Sequence, residues 1–378
     1  MRDRVGLGWR PELAASIFTH LDRIDVVEVI ADDWFEAGRR ELRALRTLGA
    51  QVPVVLHGVG PGLASSVPVD ARRLFAVARV VEAARPEFWS EHLAFVRAGD
   101  REIGHLAAPP RTAATLEGAA ANIDRARTIV GSAPLLENIA TLIDPPGSDR
   151  DEATFVKGIA EAADAELLLD LHNLHANSTN FAFDALAFLK AIPVHRIRAV
   201  HLAGGRWIAA SSGQRRLLDD HLHDIPDTVF EMLEELGARS PRPLTVVVGA
   251  RWQLPACRGS PRGARPGATR ARPRSCSARC RPRECGMSGQ ALETFLARLY
   301  TDPATRHDFL ADPRGAAVSA GLEPLEIEAL AAIDRVGLEL AAHSFEKKRA
   351  ARRPRRAAWR RRLAALGRYF SSHVYITR

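Results

Sequence analysis

Residues Leu167–Asn180 have the sequence LLLDLHNLHANSTN, in which an apolar run changes abruptly into polar side chains. Three consecutive leucines are typical of a strand that is buried on both faces of a parallel sheet. The run ends at Asp170, and His172, Asn173 and His175 follow it closely. Because active sites lie at the carboxyl ends of the strands in a parallel barrel, this pattern predicts metal-ligand chemistry there. The same residue types also favour helix N-caps and turns, so both interpretations stay open at this point.

Further apolar segments within residues 1–248 predict a repeating order of strand and helix. The predicted strands are Val5–Gly8, Val26–Ile30, Val52–His57, Phe88–His92, Pro134–Glu137, Glu166–Asp170, Ile197–His201 and Leu244–Val248. Amphipathic segments such as 36–48, 71–84 and 114–130 separate them. This order predicts a (β/α)8 TIM-type barrel rather than an open doubly wound sheet. No GxGxxG motif follows the first strand, which argues against a dinucleotide site.

The net charge of +8 is divided unevenly along the chain. Residues 1–248 contain 27 Lys+Arg and 34 Asp+Glu, whereas residues 249–378 contain 26 and 11, so the balances are −7 and +15. The basic excess therefore belongs to the second part and is a weak argument for nucleic-acid binding by the barrel. No apolar run reaches the length of a membrane span, and the first residues lack a signal-peptide pattern. We expect a cytoplasmic protein with neither a membrane nor a nucleic acid as partner.

Residues 249–287 differ in composition from the rest of the chain. They contain ten arginines, five prolines and all four cysteines, which are Cys257, Cys276, Cys280 and Cys285. A segment with so few aliphatic residues cannot form a core, so it predicts a disordered basic linker. The cysteine spacing lacks CxxC pairs, which disfavours a structural zinc site.

Residues 288–346 regain an amphipathic pattern and predict a small all-α domain of three or four helices. Asp302-Pro303 and Asp312-Pro313 are typical helix starts, and Gly321 is typical of a helix end. The remaining residues, 347–378, form an arginine-rich tail. Such a charge run is usually solvated, with contact to RNA or to an acidic membrane surface as the other interpretation. The predicted domains are therefore 1–248, 249–287, 288–346 and 347–378.

Side chains that commonly bind metals occur at the ends of five predicted strands. They are His57, His92, Glu137, Asp170 and His201, and Asp219 and His221 follow in the loop before the eighth strand. A lone histidine is more often structural, but ligand-type residues at so many strand ends predict a shared site on one rim. Imidazoles and carboxylates without thiolates suit iron, manganese or zinc, and this number of ligands indicates more than one ion.

The barrel sequence also carries a set of longer motifs, namely GLGWR, EVIADDWF, LHGVGPGLASS, SEHLAF, LLENIA, LLLDLHNLHANSTNF, HLAGG and DDH. In this combination, residues 5–248 resemble the multinuclear non-heme iron-dependent oxidases related to the methanobactin biosynthesis oxidase, whose barrels are of the xylose isomerase type. The resemblance implies two or three iron ions and no organic cofactor. The implied ligands are His57, His92, Glu137, Asp170, Asn173, His201, Asp219 and His221. Glu137 would bridge two ions, and Glu137 and Asp170 are the implied catalytic residues. Some members have histidine where Asn173 stands, which weakens the case for a third ion.

The activity implied by this resemblance is the O2-dependent modification of a ribosomally made precursor peptide, often at cysteine. A partner protein commonly delivers the peptide in this family, and the helical region after residue 288 is a candidate for that role. From the residues alone, a divalent-metal isomerase or endonuclease barrel without O2 chemistry stays open. An inactive binding protein also stays open, because one expected ligand is missing.

The missing ligand is a carboxylate that the family places at the end of the eighth strand, in a motif like Glu-Arg-Asp-Gly-Asn-Tyr-Pro. Residues 249–255 of this chain are GARWQLP instead. Degenerate codons for GARWQLP, read from the second base, can encode the family motif. We therefore infer a frameshifted translation from residue 249 to about 285; a genuine basic linker that replaces the eighth helix is the alternative. Sequencing the gene across this segment distinguishes the two.

Overall fold

The computed structural model describes residues 2–249 and 288–350, and a closed barrel of parallel strands forms the first part. The strands of the described residues are β1 (Arg4–Gly8), β2 (Val26–Ile30), β3 (Val54–Gly58), β4 (Trp89–His92), β5 (Phe95–Ala98), β6 (Arg101–Ala107), β7 (Leu135–Glu137), β8 (Leu167–Asp170), β9 (Ile197–Leu202), β10 (Gly205–Ala209), β11 (Arg215–Asp219) and β12 (Thr245–Val248). The barrel order is β1-β2-β3-β4-β7-β8-β9-β12, and β12 pairs with β1 to close it. All eight predicted barrel strands are present, and the predicted fold is confirmed.

Helices on the outside of the barrel connect its strands. They are α1 (Ala14–Thr19), α2 (Arg39–Gly49), α3 (Ala71–Ala84), α4 (Ala113–Val130), α5 (Glu152–Ala162), α6 (Leu171–Phe181), α7 (Ala185–Ala191) and α8 (Asp227–Arg239). Local signals set their ends: α4 follows Thr112, whose side chain accepts a hydrogen bond from the Thr115 N–H, and it ends at Gly131 with φ of 92°. Helix α2 begins later than the sequence predicted, because Gly38 is its N-cap and the Glu41 carboxylate accepts from the Gly38 N–H.

The barrel interior is closed at its amino-terminal end by a layer of apolar side chains, which we call the apolar layer. Five members lie in strands and the sixth directly precedes β4; they are Val26, Val55, Phe88, Leu135, Leu168 and Ala199. Each is buried. A larger core lies between the strands and the surrounding helices, with Leu45, Leu74 and Ile159 among its fully buried members. The barrel is therefore packed rather than hollow below its carboxyl-terminal rim.

Two antiparallel hairpins, which the sequence prediction missed, extend this rim. Strands β5 and β6 form one, and β10 and β11 form the other. In the second, Gly205 pairs with Asp219, so Asp219 ends a strand and does not lie in an irregular loop as predicted. These strands lie outside the repeating order of strand and helix, and that order was the basis of the prediction.

The second part of the described chain is helical, as predicted. Its helices are α9 (Ser288–Thr301), α10 (Pro303–Ala311), α11 (Pro313–Ser319), α12 (Pro324–Ala331) and α13 over 335–350. Asp302 caps α10 and Asp312 caps α11, each by accepting a hydrogen bond from a backbone N–H of the first turn. Gly321 has a φ of 73° just after α11 ends. The predicted helix starts and stop are therefore confirmed.

These C-terminal helices pack on the rim hairpins of the barrel. Phe95 and Ile103 of the β5–β6 hairpin share one buried cluster with Phe295 and Phe309. The buried Glu293 carboxylate accepts hydrogen bonds from the Ser65 Oγ at 2.6 Å and from the Ser66 N–H at 2.7 Å. The helical region therefore shares a core with the carboxyl-terminal face of the barrel.

Several predictions concern segments that the structure does not describe. Apart from Gly249, the predicted linker 249–287 with its four cysteines lies outside the described residues, and so does the frameshift inference. The same holds for the basic tail apart from residues 347–350. None of the helices in residues 2–249 and 288–350 has the length and apolar character needed to cross a membrane.

Candidate metal centre

A polar layer lies two residues beyond the apolar layer along the same strands. Its members are Glu28, His57, Glu137, Asp170 and His201, which follow Val26, Val55, Leu135, Leu168 and Ala199 respectively. Because side chains alternate between the two faces of a strand, residues two apart point in the same direction, here into the barrel. All five polar side chains are buried. The strand alternation therefore places them together at the carboxyl-terminal end of the interior.

Glu137 lies at the middle of this layer, between three imidazoles. Its Oε2 atom is 3.3 Å from the His57 Nε2 and 3.2 Å from the His92 Nε2. Its Oε1 atom is 3.0 Å from the His201 Nδ1. The His57 ring centroid is 4.6 Å from that of His92 and 5.1 Å from that of His201. Four of the predicted site residues thus converge on one another.

The orientation of two of these imidazoles is fixed by hydrogen bonds from their other ring nitrogen. The His92 Nδ1 lies 3.0 Å from the Gly58 carbonyl oxygen, which can only accept. The His57 Nδ1 lies 2.8 Å from the Ser90 Oγ, and that hydroxyl is 3.4 Å from the Leu56 carbonyl oxygen, to which it can donate. Both rings can therefore donate a hydrogen bond from Nδ1 while Nε2 faces Glu137, which is the orientation of metal-binding histidines.

Asp170 both caps a helix and faces the other predicted site residues, so its N-cap role does not exclude a role at the site. Its Oδ1 accepts a hydrogen bond of 2.7 Å from the Asn173 N–H at the start of α6. Its Oδ2 lies 3.9 Å from the His201 Nδ1. The Asn138 side chain holds the Asp170 backbone from the neighbouring strand, accepting from its N–H at 2.8 Å and donating to its carbonyl at 3.0 Å.

Three buried oxygen atoms of this centre have no hydrogen-bond partner among the described residues. They are the Glu137 Oε2, the Asp170 Oδ2 and the Asn173 Oδ1. A buried acceptor without a partner costs about 1–3 kcal/mol, and more when it is charged. Potential ligand atoms come within 4.8 Å of one another in three groups, which are Glu28–His57–His201, His57–His92–Glu137 and Glu137–Asp170–His201. The donor set and the orphaned oxygens fit bound cations.

Asp219 and His221 form a second acid–imidazole pair beside Asp170. The Asp219 Oδ2 is 3.0 Å from the His221 Nε2, and its Oδ1 is 2.8 Å from the His172 Nδ1. The charges of Asp219 and His221 both act on the pKa of Asp170, so the pair is close to the main cluster, although it joins none of the three tight groups. His172, which the sequence did not select as a ligand, is buried and orients Asp219. His175 instead lies 3.3 Å from the Thr228 Oγ1, outside the cluster.

Burial and charge together give these groups unusual proton affinities. Burial lowers the pKa of His57 to about 4, although the Glu137 and Glu28 carboxylates oppose it, so this imidazole is neutral. Burial would raise the pKa of Glu137, but His92, His201 and His57 outweigh it and hold that pKa below its usual range. Burial also disfavours a charged His201, yet Glu28 and Glu137 raise its pKa well above normal. A cation bound at His201 would therefore displace a proton.

The Asp170 and His221 side chains have raised pKa values as well. Burial and the charges of Asp219 and Glu137 raise the pKa of Asp170 to about 6. Burial lowers the proton affinity of His221, but the adjacent Asp219 carboxylate outweighs it and raises the pKa to about 9. Carboxylates this close together require positive charge among them. The protonated His201 and His221 side chains provide that charge in the metal-free chain.

Glu28 is the main site residue that the sequence prediction missed. It lies in β2, and its Oε1 atom is 2.6 Å from the His201 Nε2. A signal was present, because a single glutamate in the otherwise apolar VVEVI run predicts a buried carboxylate that needs a partner. Glu91, which directly precedes His92 in β4, is buried with a pKa that burial raises to about 7. It accepts from the His92 N–H at 3.0 Å and so holds the strand end in place.

The end of the eighth strand also reaches this centre. The Gly249 N–H donates to the Leu202 carbonyl oxygen at 2.9 Å, and its own carbonyl accepts from Arg10 at 3.1 Å. A Cβ atom at position 249 would lie 2.6 Å from the His221 Nδ1. The position at which the family resemblance predicts a carboxylate therefore borders a predicted ligand.

Comparison with known protein families identifies the family to which the barrel belongs. Residues 4–256 match the model of a family described as RiPP precursor modification enzyme MbnB/TglH/ChrH, where RiPP denotes a ribosomally synthesised and post-translationally modified peptide. The match covers most of the chain, which therefore belongs to this family. The family recognised from the sequence motifs is confirmed, and the chain is a member of a family of precursor-modifying enzymes.

Similar proteins include several that carry the name UPF0276 protein. One from Anaeromyxobacter is 32% identical over 242 residues, which cover 64% of this chain and 84% of that protein. One from Streptomyces avermitilis is 36% identical over 245 residues, or 63% of this chain, and the match spans about half (49%) of that protein. Among solved structures, a D-psicose 3-epimerase from Clostridium cellulolyticum has a TM-score of 0.41 and 11% identity, covering 65% of this chain and 84% of that one. A xylose isomerase domain-containing protein from Salmonella typhimurium has a TM-score of 0.44 and 14% identity, covering 66% and 90%.

Proposed function

We propose that this chain is a non-heme iron-dependent oxidase that uses O2 to modify a ribosomally made precursor peptide at cysteine. The observation that carries the proposal is the position of Glu137 between three imidazoles, with a different histidine set at each oxygen. A carboxylate that faces ligands on both sides is suited to bridge two cations. Membership in the precursor-modifying family supplies the substrate class.

The residues that would hold each ion follow from the contacts. One ion would be bound by the His57 Nε2, the His92 Nε2 and the Glu137 Oε2. A second would be bound by the Glu137 Oε1, the Asp170 Oδ2 and His201. Asn173, Asp219 and His221 are the candidates for a third. Imidazole and carboxylate ligands without thiolate suit ferrous iron, which when bound supplies the redox and O2 chemistry that side chains lack.

The chain itself contributes positioning and exclusion of water. The apolar layer closes the barrel beneath the proposed ligands, so a substrate would reach them from the rim. Asn138 fixes the Asp170 backbone and His172 fixes the Asp219 carboxylate, and each limits the freedom of a proposed ligand. Proposed ligands held in this way would need little further ordering to bind their ions.

The test is to load the full chain with ferrous iron under anaerobic conditions and to measure iron per chain. Glu137→Gln keeps the side-chain volume but removes the charge, so we expect this variant and Glu137→Ala to lose at least one ion. Oxygen uptake with a cysteine-containing peptide should fall to background in both. The fold should survive, because the apolar cores do not involve Glu137.

His195→Ala is the matched control. His195 is exposed in a short turn (Val194–Arg196) before β9, at the opposite end of that strand from His201. Its iron content and melting temperature should equal those of the parent. Equal iron in the Glu137 variants and the parent would contradict the bridging role. A chain that retains only zinc or manganese and consumes no O2 would instead support a divalent-metal isomerase type of chemistry.

A further inference from the structure

The β10–β11 hairpin has one covered edge and one open edge. The covered edge is that of β11, where the Asn180 side chain of α6 binds the Leu217 backbone. The Leu217 N–H donates to the Asn180 Oδ1 at 2.7 Å, and the Asn180 Nδ2 donates to the Leu217 carbonyl at 2.9 Å. Both backbone groups of Leu217 therefore point away from β10.

The pairing register then fixes the direction of the β10 backbone. Trp207 is the partner of Leu217, and in an antiparallel pair two opposed residues either bond to each other or both point outward. The Trp207 N–H and carbonyl must therefore point outward on the other edge. The turn confirms this direction. The Ala210 N–H points toward β11, because it donates to the Gln214 carbonyl at 2.9 Å. Ala210 is three residues after Trp207, and backbone groups an odd number of residues apart point in opposite directions. Gly205 and Ala209 share the outward direction of Trp207.

This edge of β10 is exposed and aromatic. No strand pairs with it in residues 2–249 and 288–350, and 48% of the Trp207 surface is exposed. The Arg215 guanidinium lies over the indole, 4.9 Å from the ring centroid. Native proteins usually protect an open strand edge with charge, a bulge or a covering element, and a large exposed indole is the opposite of such protection.

The open edge leads into the metal centre. Gly205, at the start of β10, pairs with Asp219, and a Cβ at Gly205 would lie 2.6 Å from the His172 ring. Trp207 is two residues away, or about 7 Å along an extended strand. A segment aligned on this edge would therefore have one end beside Asp219 and His221.

We propose that the open edge of β10 binds an extended segment of the precursor peptide as an additional strand, with an acidic residue of the peptide near Arg215. This site rests on the proposed function, from which its occupant is taken. Main-chain pairing to Trp207 would give affinity that is tolerant of sequence, and the indole with its guanidinium would add a pocket for one apolar and one acidic side chain. The same addition would direct the remaining peptide to the metal centre.

The probe is a fluorescein-labelled twelve-residue peptide of alternating glutamate and valine without cysteine, and its binding to the full chain is followed by anisotropy. Trp207→Ala removes the indole and should weaken binding about tenfold. Trp207→Pro also removes the outward N–H and should weaken binding about fivefold more. Proline is tolerated there, because that N–H makes no bond to β11. Phe75→Ala removes another exposed aromatic, on α3, and should change nothing.

Two modified peptides keep the test valid even if the proline variant fails to fold. Methylation of alternate backbone nitrogens should weaken binding to the parent about fivefold or more, and lysine in place of glutamate should weaken it as well. Equal affinity for the methylated and plain peptides, or no effect of Trp207→Ala, would overturn the proposal. Because the probe contains no cysteine and needs neither iron nor O2, this outcome would leave the proposed oxidase activity standing, and the converse failure would be seen in the iron assay alone.

A photoreactive phenylalanine in place of Trp207 identifies the occupant directly. Cross-linking to the peptide on irradiation, reduced by excess unlabelled peptide, supports the proposal. Cross-linking to residues 250–287 of the same chain would overturn it, since the edge would then be covered by the protein itself.

Discussion

The apolar layer and the polar layer of the barrel are built on the same strands, point in the same direction and differ by two residues in position. The apolar layer is complete by itself, because hydrophobic packing needs no partner of specific chemistry. The polar layer buries three carboxylates and two imidazoles, and two of its oxygens have no hydrogen bond among the described residues. A step of two residues along a strand thus separates the part that stabilises the barrel from the part that requires a ligand.

The largest difference is expected within one strand, β7, which contributes Leu135 to the apolar layer and Glu137 to the polar layer. Leu135→Ala should lower the free energy of unfolding by about 2–5 kcal/mol, because it leaves a cavity in a packed interior. Iron per folded chain should stay at the parental level. Glu137→Ala should show the reverse, with iron lost and the unfolding free energy of the metal-free chain much less affected. Urea denaturation together with metal analysis measures both, and parallel losses in the two variants would remove the distinction between the layers.

Glu28 sharpens the comparison, because it belongs to the polar layer without being an expected ligand. It contacts the His201 Nε2, so Glu28→Gln should weaken iron binding about 10- to 100-fold, as is typical for a group that orients a metal-binding histidine. The measurement is competition with a chelator of known affinity.

Glu293→Gln is the matched control for Glu28→Gln. Glu293 is also buried, but it accepts hydrogen bonds from Ser65 and Ser66 at the contact between barrel and C-terminal helices. Its substitution should leave iron affinity unchanged and lower the unfolding free energy by about 1–3 kcal/mol. An unchanged iron affinity in Glu28→Gln would show that Glu28 only balances charge in the metal-free protein.

The smallest effect is expected at Gly249, where the family resemblance predicts a carboxylate that this chain lacks. Gly249→Glu would place a carboxylate beside His221 and should tighten binding of the most weakly bound ion. The gain should be only a few-fold, because the His221 ring must shift to admit the new side chain. Gly249→Gln, of similar size and without charge, should not. Stepwise iron titration distinguishes the two, and equal behaviour would mean that this chain does not use a ligand from the eighth strand.

Much of the site could be predicted because its residues end strands that were themselves predictable. The five residues His57, His92, Glu137, Asp170 and His201 each stand at the carboxyl end of a predicted strand, and a barrel brings those ends to one rim. Glu28 was missed because it stands in the middle of the sequence VVEVI, where no strand end marks it. The role of His172 was missed because its partner Asp219 lies on a hairpin strand, and that hairpin gave no recognisable pattern.

The sequence by itself determined the strand and helix order, the helix caps at Asp302 and Asp312, and the family, because these depend on local spacing and on short motifs. Only the tertiary structure decided that the two Glu137 oxygens face different histidines, that Glu28 meets His201, and that the C-terminal helices share a core with the rim hairpins. The alternation of side chains is a property of each strand and can be read locally. The distance between side chains of different strands depends on the stagger and tilt with which the barrel closes, and no single segment encodes these.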